Sequence, residues 1–387
     1  MTPASSDSDG ARRKVLVFHI GDHKTGTTAI QYAFLRGDVR IGGAPVFYPC
    51  AKGRFNHNLL PGRVRALSRP KGKGTARKAH NSVGKLAARI ARAKAPYALI
   101  SAEHFEGSDP GELAGVIDTH FRDLADEIRI VAYVRPHAAR ILSSFATQAK
   151  SGQFMGSLEA FVKRSLDSGR FAYHARFSRW RAQFGEAFIL RPFVRDELRG
   201  GSAVDDFAHH AFGGGDIRVA RAATANESLG LEDVMRLRVV HSHLGARAQK
   251  FRRAVGQDFL RMAGAHPPEG AQTKLRLHRA LARRIRDACL EDAQAMDADF
   301  FGGTPVLARD LEATAAAAPE AAQSFDPRDH LPANELRSLH MLADMLAGLA
   351  GLDDAAATRF LHERRVSAVM AGDDAKDEAL PLQPSNG

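Results

Sequence analysis

"HIGDHKTGTTAIQ", residues 19–31, joins an apolar run, KVLVFHIG (14–21), to a helical pattern, TTAIQYAFLRG (27–37). The run is dense in β-branched and aromatic residues, as a strand buried on both faces is, and Gly37 closes the helix. Gly21 and Gly26 are separated by four residues, the frame of G-x-x-x-x-G-K-[ST], but Thr27 stands where that motif has lysine and Lys24 comes three positions earlier. A loop of this kind turns successive backbone N–H groups inward at the positive end of a helix, so its natural occupant is an anionic phosphate. With the lysine displaced and no Walker B aspartate at a strand end, nothing is arranged to clamp a magnesium nucleoside triphosphate.

Outward from the loop, strands and helices alternate. A helix over 75–94 ends before Pro96, and YALIS (97–101) reads as a second buried strand. Pro110 opens a helix over 110–127, IRIVAYV (128–134) is a third strand, and HAARILSSFATQAK follows as a helix. AYHARFSRWRAQFG is helical, with Trp180 and its phenylalanines expected in the core, and AFILRPF (187–193) is a fourth strand. Between the first helix and residue 75, GGAPVFYPCAKGRFNHNLLPG reads as loops around a short hairpin or strand. The alternation predicts an α/β fold, a three-layer P-loop-like parallel sheet flanked by helices, with a C-terminal helical extension. The expected division is a tail over 1–13, an α/β domain over 14–230, helices packed on it over 231–366, and a tail over 367–387.

Composition limits the function. The chain has 387 residues and is 44% hydrophobic, enough for a full core. No stretch approaches the roughly 18 apolar residues of a membrane span, and MTPASSDSDGARRK lacks the apolar centre of a signal peptide. A soluble cytoplasmic protein is expected. Cys50 and Cys289 are far apart, and neither they nor His209-His210 and His241-x-His243 have a third ligand at metal-binding spacing, so no metal is expected. The net charge of +11 is unevenly spread, with thirteen basic residues and no acid between Lys52 and Lys94. Such a surface is either a solvated face or one that attracts an anion, whether cofactor, acidic glycan or the anionic surface of a membrane. The scarcity of aromatic residues there argues against nucleic acid.

Lys24-Thr25-Gly26-Thr27-Thr28, with Gln31 shortly after, resembles the 5′-phosphosulfate loop of the sulfotransferases that use 3′-phosphoadenosine 5′-phosphosulfate (PAPS), the bacterial members especially. A second motif strengthens the likeness: AYVRPHAARILSSF puts Arg135 at a strand end and Ser143 eight residues later on the next helix, as in the family's 3′-phosphate site. A strand-end residue and one about two turns into the next helix can converge on one anion at the sheet edge. Softer likenesses are Gln148, Lys150, Gly152, Tyr173, Phe184-Gly185, Asn226 and Ser228, and the resemblance spans roughly residues 14–230. Pro136 directly after Arg135 departs from the common Arg-Asn-Pro order.

The resemblance implies a PAPS-dependent sulfotransferase, with PAPS as co-substrate, no metal, and an acceptor hydroxyl or amine on a carbohydrate, glycolipid or other small molecule. Lys24 would neutralise the bridging oxygen as the phosphate leaves, and Thr25, Gly26, Thr27 and Thr28 would hold the 5′-phosphate. The base is sought in FNHNLL, which offers His57, or in LISAEHF, which offers Glu103 and His104; Glu103, at a strand's carboxyl end, ranks first. The rivals are a nucleotide-dependent kinase on the same loop frame and a non-catalytic binding protein on the same fold.

Overall fold

The computed structural model describes residues 14–220, 229–245, 247–350 and parts of 353–367. The expected tail over 1–13, all of the expected tail over 367–387 except Ser367, and Asn226 and Ser228, lie outside the described residues. By contact the chain forms two compact units, Met1–His137, Arg170–Ala225 and Ala288–Glu312 in one, and Ala138–Gly169, Asn226–Asp287 and Ala313–Gly387 in the other. Residues 288–312, read from the sequence with the helical extension, thus group with the sheet, while 138–169 group with the other helices.

The first unit holds a seven-stranded sheet: β1 (Val15–His19), β2 (Val39–Ile41), β3 (Ala44–Phe47), β4 (Tyr97–Ser101), β5 (Glu127–Val134), β6 (Phe188–Pro192) and β7 (Ile217–Val219), in the order β6-β5-β1-β4-β3-β2-β7. The strands from β6 to β3 are parallel, whereas β2 runs antiparallel to both β3 and β7. The three-residue edge strand β7 is too short and too exposed to show a period in sequence.

Helices α1 (Thr27–Leu35), α2 (Leu60–Ser68), α3 (Lys73–Arg92) and α4 (Pro110–His120) precede β5. α5 (His137–Lys150) and α6 (Leu158–Asp167) follow it, then α7 (Tyr173–Phe184) before β6 and α8 (Ala203–Phe212) before β7. β1 is buried at every position because it has helices on both sides. Val15 and Val17 pack with Ile30 and Phe34 of α1 and Phe207 and Phe212 of α8, while Phe18 meets Phe121, just past α4, edge-on at 5.4 Å. Asp109 caps α4 by accepting from the Gly111 and Glu112 N–H groups, and Pro110 takes the first helical position, where its missing N–H costs nothing.

The second unit is helical: most of α5, α6, α9 (Leu231–His243), α10 (Gln249–Ala265) and α13 (Ala333–Leu349), with α11 (Arg279–Phe300) and α12 (Val306–Ala317) contributing to both units. Leu231, Val234, Met235 and Leu237 of α9 form one core with Ala149, and Val240, Leu244, Phe251 and Ala343 form another. His241 is a packing residue here. Its Nε2 meets the Lys150 carbonyl at 2.8 Å, and a Cβ on Gly152 would come within 2.9 Å of its ring. No helix among the described residues is long and apolar enough to cross a membrane.

Trp180 is 2% exposed and stacks on Phe184 and Phe188 at 5.8 and 6.3 Å, as expected for a core residue. Trp180→Ala is predicted to cost about 3–5 kcal/mol in chemical denaturation, from lost burial and the cavity left behind.

Candidate functional site

The carboxyl ends of the parallel strands lie along one edge, with His19 opposite Ser101 of β4 and Val131 of β5. Sheet hydrogen bonding runs on into the loop after β1: Asp22 N–H donates to Tyr133 O (3.1 Å) and Tyr133 N–H to Gly21 O (2.9 Å). Gly21 and Gly26 have φ of 90° and 74°. A Cβ on Gly21 would stand 3.0 Å from the Glu103 Cα, and one on Gly26 2.9 Å from Ala203 and Phe193, so each glycine of the frame permits a close approach that no other residue allows. Gly26 is also the N-cap of α1, and no side chain caps that helix.

The turn is tied from within by the Asp22 carbonyl, which accepts the hydroxyls of Thr25 (2.5 Å) and Thr27 (3.3 Å). Both threonines are buried, and Thr28 is the exposed member of the expected trio. Lys24, with φ 68°, is the only non-glycine residue at positive φ among the described residues. A left-handed conformation costs a non-glycine residue roughly 1–2 kcal/mol, and such strain gathers at ligand sites. Arg135, just past β5, donates from Nη1 to the Lys24 carbonyl at 3.2 Å. The structure therefore brings the loop and the strand-end arginine together. Ser143 lies on α5 in the second unit, half-buried, with its carbonyl accepting the Thr147 hydroxyl.

Beneath the loop is a network of charges that the sequence reading missed. The Asp22 carboxylate, 1% exposed, accepts from Arg176 of α7 at 2.8 and 3.3 Å and from the His23 N–H at 3.1 Å. Arg176 also stands 3.6 Å from Glu106, and its guanidinium lies 4.5 Å from the centre of the Phe177 ring. Burial works against the Arg176 charge, but Asp22 and Glu106 outweigh it and raise its pKa. Arg170 holds Glu106 with two bonds of 2.6 Å. A signal for Arg176 was present: Tyr173, Arg176, Phe177 and Trp180 share one helical stripe, and an arginine among buried aromatics needs a buried acid.

Glu103 opens a short 3₁₀ turn, Glu103–Gly107, directly after β4. Its carboxylate is 3.4 Å from His23 Nδ1, and His23 Nε2 is 3.6 Å from Glu106. Burial alone would raise the Glu103 carboxyl, but the hydrogen bond and charge of His23, with His104 and Lys24, hold it below the usual carboxylate range. His104 is exposed, with Nδ1 3.2 Å from the Asn58 carbonyl.

His57 is differently employed. Its Nδ1 accepts the Ser101 N–H at 3.1 Å, so Nε2 carries the proton and donates to the Pro49 carbonyl at 3.2 Å. The ring has no lone pair left for a substrate proton. Beside it, Ser101 Oγ accepts from Gln31 Nε2 (3.1 Å) and meets His19 Nδ1 (2.9 Å), and the three fill the space behind the loop. Gln31, noted in the sequence for its likeness alone, therefore anchors α1 to the end of β4. Among the described residues, no group of three or more His, Cys, Asp or Glu side chains is placed to hold a metal ion.

No protein-family model and no curated protein sequence matches the chain. Among solved structures, a sulfotransferase from Alicyclobacillus acidocaldarius is similar over 74% of this chain and 95% of its own, with 12% identity and a TM-score of 0.36.

Two predictions follow from the buried groups. Arg176→Leu leaves the Asp22 carboxylate without its partner and is expected to cost about 3–5 kcal/mol in urea denaturation. Burial lowers His57 to about 4 and His19 to about 3, so the folded state refuses protons that the unfolded chain takes up below about pH 6.5. Stability is then complete above that pH and falls as pH drops toward 4, by up to about 1.4 kcal/mol per pH unit for each histidine. Urea denaturation at pH 7, 6 and 5 should show a shallower fall in His57→Gln than in the parent.

Proposed function

We propose that the chain is a sulfotransferase that moves a sulfuryl group from PAPS to a hydroxyl or amine of a carbohydrate, glycolipid or other small acceptor. The observation that carries the reading is the hydrogen bond from Arg135 to the Lys24 carbonyl, which joins the two motif residues at one edge of the sheet. The residues present suit a doubly phosphorylated adenosine. The α1 N-terminus has glycine at its cap and no side-chain acceptor of its own, so its N–H groups and the exposed Thr28 suit the 5′-phosphate. Arg135 suits the 3′-phosphate as a planar donor. Ser143 belongs to that phosphate on sequence spacing alone.

PAPS, when bound, supplies the sulfuryl group and a phosphate leaving group. Lys24 faces the charge that builds on the bridging oxygen, as a fixed cation does best where water is scarce. Glu103 takes the acceptor's proton. The hydrogen bond from His23 and the charge of Lys24 favour its ionised form, which can accept a proton, although they weaken it as a base. With both ring nitrogens of His57 engaged by backbone groups, Glu103 is the better supported of the two expected bases. The setting is the reduced cytoplasm, where Cys50 and Cys289 remain thiols.

Thermal shift separates this reading from its rivals. 3′-Phosphoadenosine 5′-phosphate should stabilise the protein where ATP with magnesium does not; at about 100 times its dissociation constant the gain is about 2.7 kcal/mol. Arg135→Ala should lose most of that gain, and Lys24→Ala should lose sulfuryl transfer while keeping more of the nucleotide affinity. Stabilisation by ATP with magnesium instead would favour a kinase, and nucleotide binding without transfer to any acceptor would favour a binding protein.

A further inference from the structure

The thirteen Lys and Arg residues of the acid-free run from Lys52 to Lys94 lie before α2, on α2, between α2 and α3, on α3 and just after α3. Structural contacts account for a few of them, such as Arg89, which donates to the Pro49 and Cys50 carbonyls at 2.9 and 3.1 Å, but not for the run as a whole. α3 begins at a glycine cap with no side-chain bond and no acid in its first turn, while Lys73, Arg77 and Lys78 stand near its N-terminus, against the helix dipole. Lys73 and Arg77, and Lys85 and Arg89, are like charges four residues apart, a spacing that costs a helix about 0.2–0.5 kcal/mol per pair. Among the described residues, only Arg69 of the thirteen forms an ion pair, with Glu112. The inward face of α3 is ordinary: Ala79, Val83, Ala87 and Ile90 are buried, whereas Lys73, Arg77, Lys78 and Lys85 are exposed.

The run starts beside the candidate site. His57 N–H donates to the Ser101 carbonyl at 2.8 Å, His104 meets the Asn58 carbonyl, and Arg65 reaches the Gly107 carbonyl, so residues 57–65 lie along the stretch that carries Glu103. Burial, and then the charge of Arg54, lower Arg63, which marks two unneutralised guanidiniums close together at this end. From Lys73 to Arg92 the positive face extends about 28 Å further.

We propose that this face of α2 and α3 binds an acidic polysaccharide and, under the sulfuryl-transfer reading on which this last step rests, that the bound chain is the acceptor. A helix lying on a lipid surface turns apolar side chains outward. Here Val83 and Ile90 of α3 are buried and Leu86 is half-buried, and Leu59 is the only strongly exposed large apolar side chain from 52 to 94. α2 and α3 carry no Phe, Tyr or Trp on which a base could stack. Charge along a polar face with no apolar or aromatic partner matches a carboxylated sugar chain.

The test compares the full chain with a variant carrying Lys73→Glu, Arg77→Glu, Lys78→Glu and Lys85→Glu, at near-physiological ionic strength. The probes are polygalacturonate, uncharged dextran, a DNA duplex, and vesicles of phosphatidylserine and phosphatidylcholine in equal parts. The parent should bind polygalacturonate in a salt-sensitive way, tighter than duplex or vesicles, and dextran not at all. The variant should bind polygalacturonate about tenfold or more weakly, as expected from lost charge pairing, with a melting temperature no lower than the parent's, since acids suit the start of α3 and a carboxylate at position 85 would face Arg89, and with an unchanged shift by 3′-phosphoadenosine 5′-phosphate. Equal or tighter binding of duplex or vesicles overturns the proposal, as does a variant that binds polygalacturonate like the parent. If the nucleotide fails to stabilise the parent, the sulfuryl-transfer reading falls, and the polysaccharide result still decides the surface.

Discussion

Asp22 must keep its charge almost out of reach of water, and the shape of the loop after β1 depends on how that is arranged. Its carboxylate is neutralised by Arg176, its N–H continues the β5 ladder, and its carbonyl gathers the hydroxyls of Thr25 and Thr27. One residue thus joins the loop to the sheet, to α7 and to itself. A buried ion pair is costly to assemble and stabilises only when its remaining polar atoms are satisfied. Here the His23 N–H, Glu106 and the Phe177 ring meet most of that need, while Nε of Arg176 is buried with no hydrogen-bond partner among the described residues. The result is a rigid turn whose strain is confined to Lys24.

That rigidity bears on chemistry. Under the proposed sulfuryl-transfer reading, a loop held in one conformation keeps its backbone N–H groups oriented before a phosphate arrives, and such prior orientation is where most electrostatic catalysis comes from. The threonine hydroxyls serve this end indirectly. They close the turn on the Asp22 carbonyl, while Thr28 stays exposed. Glu103 is bound into the same frame through His23, so the proposed base and the loop after β1 are positioned together.

The C-terminal helices take part in the sheet unit as well. Asp292 of α11 accepts the Tyr173 and His174 N–H groups at the start of α7 at 3.1 and 3.0 Å, and also meets buried His137 at 3.0 Å. His137 stacks on Tyr173 at 4.3 Å. The helix that supplies Arg176 is therefore capped by a residue more than a hundred positions away. Asp297 plays the same part for α12, accepting the Leu307 and Ala308 N–H groups at 2.9 Å each.

By itself the sequence determined the strands β1, β4, β5 and β6 and the helices α1, α3, α4, α5 and α7, because periodicity, Gly and Pro are local properties of the chain, whereas α2 and α6 were not read from it. The bounds of α5, His137–Lys150, match the helical stretch read from the sequence, which lies between Pro136 and Gly152. Only the tertiary structure decided which polar groups serve the loop. Asp22 and Arg176 are 154 residues apart, and Asp292 and Tyr173 are 119 apart, so no spacing rule connects them. The same holds for His57, whose letters suggest a base and whose neighbours make it a strut: a side chain's protonation and free lone pairs depend on what folding brings against it. Residues 288–312 and 138–169 exchanged units for a like reason, because contacts across the fold, and not position along the chain, set where one compact body ends.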